Sequence, residues 1–567
     1  MKRLFVLLMA CTLTLACKEQ EKNANDISGE QASNQANADT FDWGSANLYF
    51  LLTDRFFNGD PTNDQLIKRD LPTGTLRGFQ GGDFAGISQK LDEGYFEKLG
   101  VNAIWITPIW EQIHGGVDEG TGYSYGFHGY WAKDWTTTEP SYGTIEEYQE
   151  MVDKAHAQGI RVLMDVVLNH TGPVTDQDPQ WPEEWVRTGP VCTYQDQSTA
   201  VTCTLTNNLP DIRTESSEPV DLPPSLAAKW KKEGRYEKEL SELDAFFEQS
   251  GLARTPVNYI IKWITDYARE TGVDGFRVDT VKHVEEEVWA TLNEQARLAY
   301  QEWRDNNPNK VYHNDEFFIV GELYNYEVAN GREFGFSDGP VDYFDYGYDA
   351  MINFGFKREA TMPYEQLFAT YDKYRDSLQA ASEDQQIYFM NYISSHDDGQ
   401  PFDPNREKTY ESATKLLLSP GMAQIYYGDE TGRSLVVPNA VGDATLRSVM
   451  EWPVQNTQLL SHWQKLGQFR KAHPAVGAGD HFALNHDGEG TIAARFYEKD
   501  GVRDDVIIGA GLPEGMISID VRKVFPNAKT LYNAYTHQEL AVENGYIKTS
   551  SENGVVLLEV PRANIEG

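Results

Sequence analysis

Positive charge is scarce in this chain. Lys and Arg number 49 against 87 Asp and Glu, a formal charge of -38 over 567 residues, and no basic run interrupts the pattern. Such a surface repels polyphosphates, which excludes nucleic acid as a partner and leaves neutral substrates and bound cations open. Cysteine is scarcer still, at four. Cys11 and Cys17 fall in the leader, which leaves Cys192 and Cys203 close together in sequence. In an exported chain these predict one local disulfide, the alternative being two buried free thiols. The apolar run near the start is too short to span a membrane as a mature helix. Aromatic residues are plentiful by contrast, with 13 Trp and 30 Tyr. They suit a protein that stacks flat faces against a ligand, although core packing accounts for many of them.

The opening MKRLFVLLMACTLTLAC places two basic residues before an apolar run, which predicts an export signal over 1–16. The run ends in Leu-Ala-Cys at Cys17, in the manner of a bacterial lipoprotein box with Thr14 where Leu is usual. Cleavage before Cys17 and lipid attachment there are expected, with ordinary secretion as the alternative. Lys18 follows, with no Asp at that position, which points to the outer membrane of a Gram-negative host. The polar stretch that completes 17–40 reads as a flexible tether.

A chain of this length predicts two or three domains. Apolar strands and amphipathic helices alternate from Asn47 onward: NLYFLL, VNAIWITPIW, IRVLMDVVLNH, GFRVDT, FFIVGEL, VDYFDYG, IYFMNYISSHDD and AQIYYGDE. Eight strand candidates with helices between them predict a (β/α)8 barrel, class α/β, over 41–170 and 256–476. The rhythm breaks over 171–255, which reads as a subdomain inserted after the third strand. After the last helix, IAARFYEKD, DDVIIGAG, TLYNAY and GVVLLEV predict an antiparallel β-sandwich over 477–567.

Chemistry collects at the strand ends. Arg277 and Asp279 lie two apart in GFRVD, so a strand points both the same way and the Arg can hold the carboxylate ionised. Alone, the pair reads first as a structural ion pair, and the rest of the chain reverses that reading. Glu322 and Asp397 end two further strands. Glycoside hydrolysis needs two carboxyl groups across the scissile bond. Asp279 suits the nucleophile. Glu322, in an apolar strand end beside other acids, suits the proton donor. Asp397, His170 and His396 would hold sugar hydroxyls, and Tyr130 offers a ring face. Other metal-assisted barrel hydrolases remain the alternative at this point. Separately, Asn58, Asp60, Asn63 and Asp64 crowd a Gly/Pro turn near Asp83, an oxygen-only set that suits calcium without the helix-loop-helix spacing.

The motifs DVVLNH (Asp165–His170), LPD (Leu209–Asp211), GFRVDTVKH (Gly275–His283), GELY (Gly321–Tyr324), SSHDD (Ser394–Asp398) and YYGDE (Tyr426–Glu430) appear in order. Together they make the chain resemble the α-amylase family of retaining glycoside hydrolases over roughly 43–480. The resemblance implies Asp279 as nucleophile, Glu322 as acid/base and Asp397 as transition-state stabiliser. It implies that Arg277, His170 and His396 contact the sugar at the cleavage point, with Tyr130 as its stacking platform and His128 nearby. Lys282 and His283 would contact the leaving-group side. It implies two calcium ions. One would be held by Asn169, Asp211 and the His283 carbonyl, with Asp196 as a fourth ligand. The other, as in the cyclodextrin-forming branch, would be held by Asn58, Asp60, Asn63, Asp64, the Gly81 carbonyl and Asp83. Ser395 stands where chloride-activated relatives carry Asn, which argues against chloride dependence. The implied activity is endo-hydrolysis of α-1,4-glucosidic bonds in starch-like glucans by a monomer. Transglycosylation, exo-action, cyclomaltodextrin degradation and a non-catalytic glycan-binding lipoprotein are the alternatives.

Overall fold

The computed structural model describes residues 34–35, 40–382, 385–486 and 488–561. The leader and Cys17 lie outside the described residues. Within 17–40, Asn34 and Gln35 pair in parallel with Val502 and Arg503. Among the described residues no helix is long and apolar enough to cross a membrane.

Eight parallel strands close into a barrel: β1 (Asn47–Leu51), β2 (Ala103–Ile106), β3 (Arg161–Val166), β4 (Gly275–Val278), β5 (Phe318–Gly321), β6 (Ala350–Asn353), β7 (Tyr388–Tyr392) and β8 (Met422–Tyr426). β1 to β3 and β5 are buried along their whole length, as strands covered on both faces must be. Packing is tight enough to dictate residue type. A Cβ on Gly275 would lie 2.0 Å from the Phe318 carbonyl, so the β4–β5 seam admits only glycine there. The helix Ile145–His156 that feeds β3 opens on a Thr144–Glu147 capping box. The helix Pro256–Thr271 that feeds β4 opens on proline and closes on left-handed Gly272. Both therefore start and stop where the strands need them. Below the barrel, Asp274 accepts from His156 at 2.9 Å, His313 at 2.8 Å and the Val162 amide at 2.7 Å, tying helix, loop and two strands together.

Sequence periodicity misplaces the sixth strand. VDYFDYG is rich in Val, Tyr and Phe, the residues strands favour, yet Tyr343–Tyr346 is a 3-10 turn whose start is capped by the Asp342 side chain. The barrel strand is the following AMIN, Ala350–Asn353. Four buried residues carry no alternation, and the longer neighbouring pattern masks them.

Between β3 and β4 the chain makes an excursion with the helices Pro224–Glu233 and Tyr236–Ser250, broken at left-handed Gly234. In it Cys192 and Cys203 form the disulfide. The C-terminal antiparallel domain follows. Thr491–Lys499, Val502–Ala510 and Val556–Glu559 pair as neighbours in its larger sheet, and Gly515–Asp520 pairs with Tyr546–Ser551 in a second. Alternation decides which face each residue serves. Ala493, Val506, Ile508 and Leu557 join the barrel core. Their neighbours Ile492, Ile507, Val556 and Leu558 pack against Ile519 and Ile547 of the smaller sheet.

Candidate active site

The strand ends of β3, β4, β5 and β7 converge on one cavity of about 600 Å3. Asp279, Glu322, Asp397, His128, Tyr130, His170, Lys282, His283 and His396 all line it. Arg277 does not; its side chain is 1% exposed and works from beneath. It reaches Asp279 Oδ1 at 2.8 Å, Asp165 at 2.9 Å and Glu322 Oε2 at 3.2 Å. One guanidinium thus spans two of the carboxyl groups that face the cavity, Asp279 and Glu322. β4 ends at Val278, and the next turn bends sharply: Thr280, a β-branched residue, takes a left-handed φ of 54°. That conformation costs about 1–3 kcal/mol and is held where the surroundings demand it. Here it turns the chain away and leaves Asp279 at the cavity floor, while the Thr280 amide donates to Glu322 Oε2 at 3.2 Å.

Burial is the largest force on Glu322, and the charges of Asp279 and Asp397 add to it. These push the carboxyl well above its usual range, against the pull of Arg277 and the Thr280 amide. Burial and these like charges therefore favour the protonated form of Glu322, the form a proton donor needs. Asp397 is a different case. Burial opposes its ionisation, but the cations Arg447 and Arg277 hold it below the usual range, and Ser395 Oγ donates to it at 3.3 Å. Two acids in one cavity are thereby pushed in opposite directions, Glu322 toward its protonated form and Asp397 toward its charged one. Burial lowers His128, His170, His283 and His396, the last two to about 4, so all four are neutral. The Tyr130 ring lies parallel to His396 with centroids 5.4 Å apart, and its hydroxyl donates to Asp165 at 2.8 Å.

Several residues in or behind the cavity have no role assigned from the sequence. Asp165 sits inside β3, buried, and receives Arg277, Trp105 Nε1 and the Tyr130 hydroxyl. Arg447 donates to the His396 carbonyl at 2.9 Å and pairs with Asp443 at 2.7 Å. Arg77 joins Asp443 to Glu119 across that end of the cavity. Only the strand-end position of Asp165 hinted at a role; the others come from loops far away in sequence.

The predicted calcium ligands were tested against the donor set. Asn169 Nδ2 lies 3.3 Å from His170 Nδ1. Its oxygen then faces the His283 carbonyl at 2.9 Å and Asp211 Oδ1 at 3.2 Å, three oxygens with no hydrogen among them. Turning the amide would give both a donor but would forfeit the His170 contact. A cation between the three oxygens satisfies all of them, so these residues fit calcium. Asp196 does something else: its carboxylate accepts from Ser198 Oγ and the Thr199 amide, both at 2.9 Å, capping the turn Ser198–Val201. The first-strand set is also gathered. Asn58 donates to Asp64, and a Cβ on Gly81 would meet both side chains. The oxygens of Asn58 and Asn63 are buried without partners, which again fits a cation. Asp83 is the exception, since its carboxylate already takes amides from Gly59, Asp60 and Gly86. Among the described residues, two side-chain clusters are compact enough to hold a metal, His156–Asp274–His313 and Asp372–Asp376–Asp480, and they coincide with neither set. Calcium bound only by folded loops stabilises by mass action, by about 2.7 kcal/mol at 100 times the dissociation constant. Chelation should therefore lower the melting temperature in calorimetry, with calcium restoring it. An unchanged melting temperature after verified calcium removal would count against both sites.

A parallel barrel whose strand ends gather a protonated Glu, facing Asp carboxylates and neutral His donors has the layout of a glycoside hydrolase. Comparison with known proteins narrows that class. The model of the α-amylase catalytic domain matches residues 50–451. The periplasmic α-amylase of Escherichia coli (strain K12) is 33% identical over 505 residues, covering 78% of this chain and 69% of that protein. The cyclomaltodextrin glucanotransferase of Geobacillus stearothermophilus is 26% identical over 473 residues, covering 80% of this chain and 58% of that protein. The crystal structure of an Anoxybacillus α-amylase shares the fold with a TM-score of 0.62 at 22% identity, covering 92% of this chain and 100% of that one. The chain belongs to the α-amylase family of glycoside hydrolases.

Proposed function

We propose that this enzyme hydrolyses internal α-1,4-glucosidic bonds of starch-like glucans with retention of configuration. Asp279 attacks the anomeric carbon and the leaving oxygen departs with the Glu322 proton. Water then releases the covalent glycosyl-enzyme, with Glu322 as base. Asp397 holds hydroxyls of the reacting sugar and faces its positive charge. His170, His396 and His128 add neutral hydroxyl contacts beside the Tyr130 face, and Lys282 and His283 serve the leaving-group side. Calcium, when bound, supplies positive charge that fixes the loops carrying Asn169, Asp211 and His283. The observation that carries this reading is the single Arg277 guanidinium spanning Asp279 and Glu322, with Glu322 held as the acid.

Endo-action is supported by polar and aromatic surface around the acids. Lys282, Tyr324 and Tyr194 form one cluster on the cavity wall, and Glu119, Asp443 and Arg447 form another. A chain can then lie across the cut. On amylose, iodine-staining length should fall rapidly while mixed maltooligosaccharides accumulate. One fixed short product with chain length nearly constant would overturn endo-action. Transfer to a glucan acceptor is the second reading, favoured by the cyclomaltodextrin glucanotransferase relatives. A solved glucanotransferase with a three-domain ABC layout shares this fold with a TM-score of 0.60 at 21% identity. Products longer than the starting maltooligosaccharide would mark it.

The leader supports export, as does the periplasmic relative. We further propose a lipid anchor at Cys17 in the outer membrane. Cys17→Ala should abolish labelling by radioactive palmitate, and a variant that still labels would reject the anchor.

A further inference from the structure

Asp397 faces the reacting sugar in the reading above, yet little holds its side chain. The carboxylate is 33% exposed, with Ser395 Oγ at 3.3 Å and His396 Nε2 at 3.6 Å. Contacts of that length do not fix a rotamer, so its aim rests on the backbone to either side. On one side Arg447 donates to the His396 carbonyl at 2.9 Å. On the other stands the second acid of the SSHDD motif, Asp398, to which no role has been given. It does not line the cavity and is buried, 5% exposed.

Asp398 is held from two neighbouring strands of the barrel. Its Oδ2 accepts from the Tyr392 hydroxyl at 2.5 Å and from Lys357 Nζ, and its Oδ1 from the Gln400 amide at 3.1 Å. Tyr392 ends β7. Lys357 stands on the short helix Phe356–Glu359 that follows β6. Its ammonium is buried as well, 5.6 Å from the Tyr392 ring centroid and 5.9 Å from that of Phe354. A buried carboxylate next in sequence to a charged one needs a cation, and a buried ammonium needs an anion. Such a pair adds little stability over an apolar pair of the same volume. What it adds here is registry: the segment after β6 is fixed to the residue that follows Asp397.

We propose that the Lys357–Asp398 pair is a positioning device for Asp397. It fixes the backbone after Asp397 as Arg447 fixes the backbone before it, so that the carboxylate is already aimed when positive charge develops on the sugar. This rests on the amylase reading of Asp397 and adds two positioning residues to it. Neither Lys357 nor Asp398 lines the cavity, so both act through Asp397 rather than on the sugar. A preorganised charge is worth most in the transition state, and misplacing it by about 1 Å costs about 10²-fold in rate. Binding of the substrate away from the reacting ring is left in place.

The test is a double-mutant cycle on maltoheptaose with Lys357→Met, Asp397→Asn and the two combined. Lys357→Met should lower kcat about tenfold or more while KM stays within about twofold, because the lost interaction belongs to the transition state. In the Asp397→Asn background the same substitution should cost no more than about twofold, since the group it positions is already gone. Asp398→Asn, which keeps the side-chain shape, should show the same non-additivity and serves if Lys357→Met folds poorly. The full loss in both backgrounds, a raised KM with kcat unchanged, or no loss at all would overturn the positioning role. Near-normal turnover in Asp397→Asn alone would instead overturn the reading of Asp397 itself.

Discussion

Glu322→Gln lowers turnover by at least about 10²–10⁴-fold, the range a positioned proton donor supplies. Glutamine fills the same space and still accepts from the Thr280 amide, but it has no proton for the leaving oxygen. Asp279→Asn removes the nucleophile and should cost as much or more, with the fold intact by circular dichroism. The environment of Glu322 adds a pH signature. Burial, then the charges of Asp279 and Asp397, raise its pKa, so kcat/KM falls as pH rises through that value and the donor is lost. Asp397→Asn removes one of those charges. Its residual activity should therefore show an alkaline limb displaced to lower pH. Near-normal turnover in either pure catalytic variant, or an alkaline limb that stays in place or moves upward in Asp397→Asn, would contradict these assignments.

Arg277→Met should be the most damaging single change to stability at the site. The guanidinium is 1% exposed and touches Asp165, Asp279 and Glu322 within 3.2 Å. Methionine fills the stem but leaves these carboxyls buried without their cation, and breaking such a set costs about 3–5 kcal/mol. The sign with pH follows from the pKa shifts. Burial already pushes Asp165 up to about 7 against the pull of Arg277. A carboxyl whose folded pKa lies above its unfolded value stabilises only at low pH, and that contribution is lost as pH rises. Without Arg277 the raised set grows, so the destabilisation should be smaller near pH 5 than near pH 8. Urea midpoints at the two pH values check this. A variant as stable as wild type at both, or one less stable at the lower pH, would show that Arg277 does not hold these acids.

How much of this was legible in the sequence differs residue by residue. Arg277, Asp279, Glu322 and Asp397 were legible because barrel strands repeat every two residues and end at one face, so polar residues after apolar runs must gather there. The disulfide followed from two cysteines in an exported chain. The sixth strand was not legible, because AMIN is four buried residues beside a longer stretch rich in strand-favouring aromatics that folds as a turn. A loop Asp such as Asp196 offers the same oxygen to a cation and to a backbone cap, so its place in the sequence assigns neither role. Arg447 and Glu119 were hidden for a further reason. Each reaches the cleft from a loop whose course depends on tertiary contacts, such as Arg77 with Glu119 and Asp443.

The central claim is that Asp279 and Glu322 act as nucleophile and acid/base on an α-linked glucan, with their carboxyl groups about 5–5.5 Å apart as double displacement requires. Proton NMR of the first anomer released from a maltooligosaccharide, recorded before mutarotation, tests it most directly. Two inversions give the α-anomer, which is the result predicted here. Initial β-anomer would mean a single displacement by water, and Asp279 would not be the nucleophile.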